Sequence, residues 1–176
     1  MIHDPSPPAR YARMTFLGTG TSTGVPVIGC GCAVCKSSDP RNNRMRSSVL
    51  FETEEISLLI DSGPDLRDQC LRMGITKVDA VLYTHSHADH VHGMDDLRMI
   101  VINMRARLPV WCDAPTHAAL MDRFGYEFVQ PKGSIYPPIL DMNLMDGDVT
   151  VEGPGGPLTF HPFLVPHGGM DALGFR

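Results

Sequence analysis

Val81-Leu-Tyr-Thr-His-Ser-His-Ala-Asp-His-Val-His-Gly93 is the segment that best indicates how this chain is organised. An apolar run from Val78 to Tyr83 leads into it and predicts a buried strand. Side chains alternate along a strand, so His85 and His87 point to the same side at its end. Two converging imidazoles supply half of a tetrahedral zinc site.

Two further donors follow where the chain turns away from the strand. Asp89 and His90 offer an oxygen and a nitrogen one step further on, which suits a second metal at roughly 3.5–4 Å from the first. Four donors in the order H-x-H-x-D-H directly after an apolar strand favour a metal centre over polar residues scattered at a strand end. His92 is interpreted as structural.

The motif His85-Ser-His-Ala-Asp-His90 resembles the signature of the metallo-β-lactamase-fold hydrolases. The resemblance covers nearly all of residues 14–176. Its other segments come in the expected order: Met14-Thr-Phe-Leu-Gly-Thr-Gly-Thr-Ser-Thr-Gly-Val-Pro26, Leu58-Leu-Ile-Asp-Ser-Gly63 and Val165-Pro-His167. Among the branches, the chain is similar to phosphodiesterases related to the phosphoribosyl cyclic phosphate enzyme of phosphonate breakdown. The tRNA 3′-end endonucleases are more distant.

This resemblance implies an α/β fold, a metallo-β-lactamase-like αββα sandwich, around two divalent ions, zinc or manganese. It implies that His167 completes the first ion's ligands with His85 and His87, and that Asp61 lies beside the metals and orients their ligands. The family normally continues past the equivalent of Arg176 with a bridging aspartate and a late histidine. We therefore expect a fold truncated in its second half.

Cys30-Gly-Cys-Ala-Val-Cys35 places three thiols in a short glycine-bearing loop. Cys30, Cys32 and Cys35 predict a structural zinc that needs one more ligand, or alternatively three reduced thiols. In the resembled branch a late histidine completes such a cluster, and no partner is evident here. Five cysteines, an odd number, fit a reducing compartment better than a disulfide framework.

A glycine-rich turn after the strand predicted over 14–18 is typical of dinucleotide binding when a helix follows at once. Here Val25-Pro26 follows, which prevents a helix from starting cleanly. The glycines at 18, 20 and 24 are instead expected to let the backbone pack closely beside the metal site.

Composition limits the remaining possibilities. The 176 residues suit a loose tail over 1–13 and one hydrolase domain over 14–176. A net charge of −5 argues against gripping long nucleic acid, although a small anionic substrate and a homodimer are compatible with it. No apolar stretch of about 18 residues predicts a membrane span, and no apolar signal core precedes the domain, so a cytoplasmic location is expected.

Periodicity and turn residues predict the other elements. A buried stripe of Leu66, Cys70 and Met73 is expected on the first helix, and the long connection is expected to form a binding loop. The predicted elements are a hairpin (48–52 and 56–61), helices (64–73, 92–104 and 113–124), a strand (108–112), a long connection (125–147) and a final hairpin (149–152 and 158–165).

Together these features predict a metal-dependent phosphodiester hydrolase acting on a small cyclic phosphate or nucleotide-like substrate. His87 is expected to be essential, and Asp89 to orient the attacking water as well as bind metal. Two alternatives stay open: a thioester or lactam hydrolase using the same metals, and a domain that binds metal without activity.

Overall fold

The computed structural model describes residues 11–153 and 156–176. Its main element is a six-stranded sheet in the order β1-β2-β3-β4-β5-β6, antiparallel from β1 to β3 and parallel from β3 to β6. The strands are β1 (Ala12–Gly18), β2 (Ser48–Thr53), β3 (Ser57–Ile60), β4 (Ala80–Leu82), β5 (Leu108–Cys112) and β6 (Leu140–Leu144).

The predicted tail over 1–13 is wrong at its inner end, and residues 1–10 lie outside the described part of the chain. Ala12 and Arg13 belong to β1, because they pair with Thr53 and Glu52 across β2. The Arg13 guanidinium reaches the Glu52 carboxylate at 2.8 Å. Beyond β1, residues 19–29 contain no helix after the glycines.

Two antiparallel hairpins complete the strands. They are formed by β7 (Val149–Val151) with β8 (Leu158–Phe160), and by β9 (Pro162–His167) with β10 (Met170–Phe175). The single strand predicted over 158–165 is therefore wrong, because the strand is interrupted at His161, between β8 and β9. The backbone N–H of Leu173 donates to Thr84 O at 2.8 Å, which ties β10 to the end of β4.

The helices differ from the predicted ones mainly at their ends. The segment 92–104 is broken, with a 3-10 turn at Met94–Asp96 between two helices. The fourth helix begins with Asp113 accepting from Thr116 N at 2.9 Å. It kinks at Phe124, the predicted end, where φ is −126°, and a further helical segment continues through Phe128. The helices are α1 (Leu66–Met73), α2 (Ala88–Val91), α3 (Leu97–Met104) and α4 (Ala114–Phe128).

The burial pattern corrects two further predictions. Leu66 is buried in α1, but Met73 is 53% exposed and Gln69 takes the inner position instead. The long connection shrinks to residues 129–139, because α4 continues through the buried Phe128 and β6 follows. No helix among the described residues is long and apolar enough to cross a membrane.

Side chains alternate across the sheet and form two apolar clusters. Leu59, Val81 and Val110 pack with residues of the helices on one face. Leu58 and Leu82 pack with residues of β7 and β8 on the other. The layers are therefore helices, the six-stranded sheet and the β7–β8 hairpin, and the loop after β4 emerges from the buried centre of the sheet.

Candidate metal centre

Two neighbouring histidines and a third from far along the chain meet where β4 ends. His85 follows β4 and is 3% exposed, His87 precedes α2, and His167 is the last residue of β9. One nitrogen from each ring lies within 4.8 Å of the other two. Nε2 of His85 and Nδ1 of His87 are 3.1 Å apart.

These separations fit one bound divalent ion. Zinc binds imidazole nitrogen at about 2.0–2.1 Å in tetrahedral geometry, which places two ligand nitrogens roughly 3.4 Å apart. The 3.1 Å between His85 and His87 needs a change of only a few tenths of an ångström. The structure thus brings together the three predicted ligands of the first metal, while their role as ligands stays a prediction.

The predicted donors of the second metal lie beside this group, on α2. The imidazole of His90 packs against His85, with ring centroids 4.2 Å apart. Oδ2 of Asp89 lies 3.3 Å from Nε2 of His90, so an oxygen and a nitrogen donor face the same space. Their placement agrees with the predicted second site, and binding there stays a prediction.

Asp61 is nearly fully buried at 4% exposure and lies behind these ligands. Its carboxylate accepts from Thr84 N at 2.8 Å, from Thr84 Oγ1 at 2.8 Å and from His90 Nδ1 at 2.7 Å. Its backbone has φ 63°, a strained conformation for a non-glycine residue, and Ser48 Oγ donates to its carbonyl at 3.0 Å. Asp61 therefore contacts His90 directly and reaches His85 only through Thr84.

Two glycines allow the loop after β3 to lie directly against α2. A Cβ on Gly63 would lie 2.1 Å from Asp89 O, and a Cβ on Gly93 would lie 2.0 Å from Gly63 O. Because neither glycine carries a Cβ, the two segments approach closely enough for Ser62 N to donate to His90 O at 2.8 Å. The position of α2, and so of its two donors, depends on this contact.

Burial and neighbouring charges shift the two inner histidines in opposite directions. Burial, followed by the nearby His90, lowers the pKa of His85 to about 4. Burial alone would also lower the pKa of His90, but the hydrogen bond and charge of Asp61, with the charge of Asp89, outweigh it and raise that pKa. His85 is consequently neutral near pH 7, as a metal-binding imidazole must be.

The three clustered cysteines also meet in space. The sulfurs of Cys30, Cys32 and Cys35 lie within 4.8 Å of one another, and tetrahedral zinc–thiolate bonds of about 2.3 Å would place them roughly 3.8 Å apart. Val27 N donates to the Cys35 sulfur at 3.3 Å, and Cys35 N to the Cys32 sulfur at 3.4 Å. That backbone hydrogen bond from Cys35, with the neighbouring thiols, lowers the pKa of Cys32 to about 7. The cluster fits zinc with three protein ligands.

A polar group that the sequence did not reveal lies between α3 and α4. Glu127 is fully buried, and Arg98 donates to both its carboxylate oxygens at 2.8 and 3.0 Å. The hydroxyl of Tyr126 donates to Asp95 at 2.7 Å. Tyr136, from the shortened connection, lines a cavity of about 310 Å³ with Arg98 and Tyr126. Tyr126 and Phe128 flank Glu127 in the sequence, but nothing in the sequence marks this glutamate as buried.

Comparison with known proteins identifies the family and the fold of this chain. Residues 57–176 match the beta-lactamase superfamily domain. A crystal structure described as a new diphosphatase from the PhnP family is 40% identical, with a TM-score of 0.80, over 94% of this chain and 61% of that chain. Zn(2+)-bound PqqB from Methylobacterium extorquens is 21% identical with a TM-score of 0.68, covering 94% of this chain and 58% of that one, and shows the fold alone.

Two sequence relatives add to this. An octanoyltransferase of Porphyromonas gingivalis is 40% identical over 167 residues, which are 93% of this chain and 32% of that protein. Ribonuclease Z of Methanopyrus kandleri is 33% identical over 100 residues, 56% of this chain and 30% of that protein. The chain thus spans about a third of these two relatives and about three fifths of the diphosphatase. The predicted α/β fold is confirmed, and the chain belongs to the beta-lactamase superfamily domain family, with the metallo-β-lactamase fold.

Proposed function

We propose that this chain carries the catalytic centre of a metal-dependent hydrolase, most specifically a phosphoric diester hydrolase for a small cyclic phosphate or nucleotide-like substrate. The observation that carries the proposal is the meeting of His85, His87 and His167 within 4.8 Å at the end of a buried strand. The likeness to a PhnP-family diphosphatase and to a ribonuclease Z supports phosphate esters as the substrate class.

Each residue of the centre has a distinct role in this proposal. His85, His87 and His167 would hold one divalent ion, zinc or manganese, and Asp89 with His90 a second. Bound divalent ions lower the pKa of a water molecule towards neutrality and offset negative charge on phosphoryl oxygens. Asp61 keeps His90 oriented through the 2.7 Å hydrogen bond to its Nδ1.

Asp89 is the residue we assign to the attacking water as well as to a metal. The Asp89 side chain is partly exposed, at 18%. Its carboxylate faces the same space as His90, which lies beside the three clustered histidines. A carboxylate in this position can accept a hydrogen bond from water and hold its lone pair towards phosphorus. His85, by contrast, is buried and its pKa is lowered to about 4, so it does not serve as a general acid near pH 7.

The cysteine cluster is proposed as a separate, structural zinc site. Its three sulfurs are close enough to share an ion, and backbone N–H groups stabilise negative charge on two of them. Zinc at Cys30, Cys32 and Cys35 would hold the loop between β1 and β2 in shape. Metal analysis of a triple Cys→Ser variant, with loss of one zinc per chain expected, tests this assignment.

The experiment for the catalytic proposal compares His87→Ala with His117→Ala, a histidine on α4 outside the cluster. Both variants are loaded with zinc or manganese and assayed on bis-p-nitrophenyl phosphate. His87→Ala should lose about 100-fold or more, since altering groups behind a ligand already costs 10–100-fold. His117→Ala should match the unaltered protein. Wild-type turnover by a folded His87→Ala variant would refute the role of His87.

A substrate panel separates the remaining alternatives. It contains a phosphodiester, a diphosphate ester, a p-nitrophenyl thioester and a chromogenic lactam, because loops rather than metal ligands select the substrate in such folds. Preferential cleavage of the phosphate esters supports the proposal, whereas preferential thioester or lactam cleavage contradicts the substrate class. Metal bound without hydrolysis of any of the four would indicate a binding domain.

A further inference from the structure

The hydroxyl of Thr84 lies between a buried carboxylate and a histidine of the metal centre. Thr84 Oγ1 is 2.8 Å from Oδ2 of Asp61 and 2.9 Å from Nδ1 of His85. A hydroxyl has a single hydrogen to donate, so it can donate to only one of these two neighbours. The neighbour that receives this hydrogen determines which ring nitrogen of His85 carries a proton.

The contacts of Asp61 determine which neighbour receives the hydrogen of the Thr84 hydroxyl. Its carboxylate also receives Thr84 N at 2.8 Å and His90 Nδ1 at 2.7 Å. A carboxylate oxygen serves as a hydrogen-bond acceptor, whereas the Nδ1 atom of His85 can either donate or accept, and the geometry at 2.8 Å has Thr84 Oγ1 donating to Oδ2 of Asp61. The Thr84 hydrogen therefore points to Asp61, and the Thr84 oxygen accepts a hydrogen from Nδ1 of His85.

We propose that Thr84 is a positioning residue, which transmits the orientation of Asp61 to His85 and fixes the tautomer that presents the lone pair of Nε2 to the metal. This inference rests on the metal centre of the proposed function. With its hydrogen on Nδ1, the His85 ring has its free lone pair on Nε2, the atom 3.1 Å from Nδ1 of His87. The tautomer of a metal-binding imidazole is set by the partner of its other nitrogen.

One carboxylate, that of Asp61, thus orients a histidine ring in each of the two proposed metal sites. Asp61 binds Nδ1 of His90 directly, leaving Nε2 of His90 to face Asp89, and it controls His85 through the Thr84 hydroxyl. Thr84 is well held for this task. Its N–H is bound to Asp61, its carbonyl accepts from Leu173 N at 2.8 Å, and its branched side chain has restricted rotation.

The test uses the full chain with three variants. Thr84→Val removes the hydroxyl at nearly constant volume, and Thr84→Ser restores it. Thr150→Val is the matched control, because it removes a hydroxyl that bonds only across the β7–β8 hairpin, to Thr159 at 3.0 Å. The first readout is the affinity for cobalt, measured by competition with a chelator. Thiolate absorption of cobalt distinguishes filling of the cysteine cluster from filling of the histidine site.

The second readout is the ¹⁵N chemical shifts of the histidine side chains without metal, which report the tautomer directly. We expect Nε2 of His85 to be unprotonated in the unaltered protein and in Thr84→Ser, and tautomers to mix in Thr84→Val. Cobalt affinity at the histidine site should fall about 10–100-fold in Thr84→Val, stay close to the unaltered value in Thr84→Ser and not change in Thr150→Val.

Several results would overturn the inference. A proton on Nε2 of His85 in the unaltered protein contradicts it, and this holds even where Thr84→Val does not fold. Unaltered cobalt affinity in a folded Thr84→Val variant contradicts it as well. If the unaltered protein binds metal and hydrolyses phosphodiesters but Thr84→Val matches it, only the role of Thr84 fails. If the histidine site binds no metal at all, the proposed function fails together with it.

Discussion

Replacing Gly63 by alanine should disturb the metal centre although residue 63 supplies no ligand. The loop after β3 contacts α2 at this glycine, and an added Cβ would lie 2.1 Å from the carbonyl oxygen of Asp89. Carbon and oxygen atoms that are not bonded rarely come closer than about 3.4 Å in packed interiors. The loop or α2 must therefore move apart by more than 1 Å.

The size of the effect follows from what that movement breaks. Overpacking of this kind costs about 1–3 kcal/mol, and losing the hydrogen bond from Ser62 N to His90 O, now 2.8 Å, adds about 1 kcal/mol. We expect Gly63→Ala to lower the free energy of unfolding by about 2–4 kcal/mol. Because Asp89 and His90 move with α2, a displacement of this size should also reduce hydrolysis about 100-fold.

Urea unfolding of the metal-free protein measures the first effect, and phosphodiester hydrolysis at saturating metal measures the second. Gly125→Ala is the matched control, since nothing lies within 4 Å of a Cβ at this position in α4. Alanine there should leave activity unchanged and stabilise the helix by up to about 1 kcal/mol. A Gly63→Ala protein with both the stability and the activity of the unaltered chain would refute the reasoning.

Three further outcomes are expected from other parts of the molecule. Asp61→Asn should weaken metal binding about 10–100-fold, because an amide replaces an acceptor of three hydrogen bonds. Asp79→Asn, which alters a carboxylate that only accepts from the strand N–H of Ser57, should leave metal affinity unchanged. Competition with a chelator measures the metal affinity of both variants. Burial raises the pKa of Glu127 from 4.5 to about 7, so the folded state binds a proton more tightly than the unfolded one. Stability should consequently fall as pH rises from 4.5 to 7, by at most about 1.4 kcal/mol per pH unit for this group, and Glu127→Gln should remove that slope in urea unfolding at several pH values. Cys32→Ser should release one zinc per chain in elemental analysis while leaving metal in the histidine site, and retention of all zinc would contradict a cysteine-bound ion.

The sequence predicted the centre of the fold well because its signals are local. An apolar run followed by His85, His87, Asp89 and His90 specifies a buried strand, a turn and several donors within thirteen residues. His167 lies far along the chain, and only the family resemblance linked it to the others. The structure places its ring 4.8 Å from that of His85.

Features that depend on contacts between distant segments could not be predicted in the same way. The need for glycine at position 63 arises only when the loop after β3 meets α2. The ion pair between Arg98 and the buried Glu127 joins α3 to α4 through residues that are 29 positions apart, and neither residue differs in sequence from a solvent-exposed one. The helix predicted to end at Phe124 does kink there, and the additional segment through the buried Phe128 depends on packing that the local sequence does not show.

The most direct test of the account is an anomalous diffraction map of crystals of the full chain soaked in zinc. We expect a peak within about 2.0–2.1 Å of one nitrogen each of His85, His87 and His167. Zinc found only at the cysteine cluster, or a histidine group that stays empty at saturating zinc, would contradict the claim that these three side chains share a metal ion.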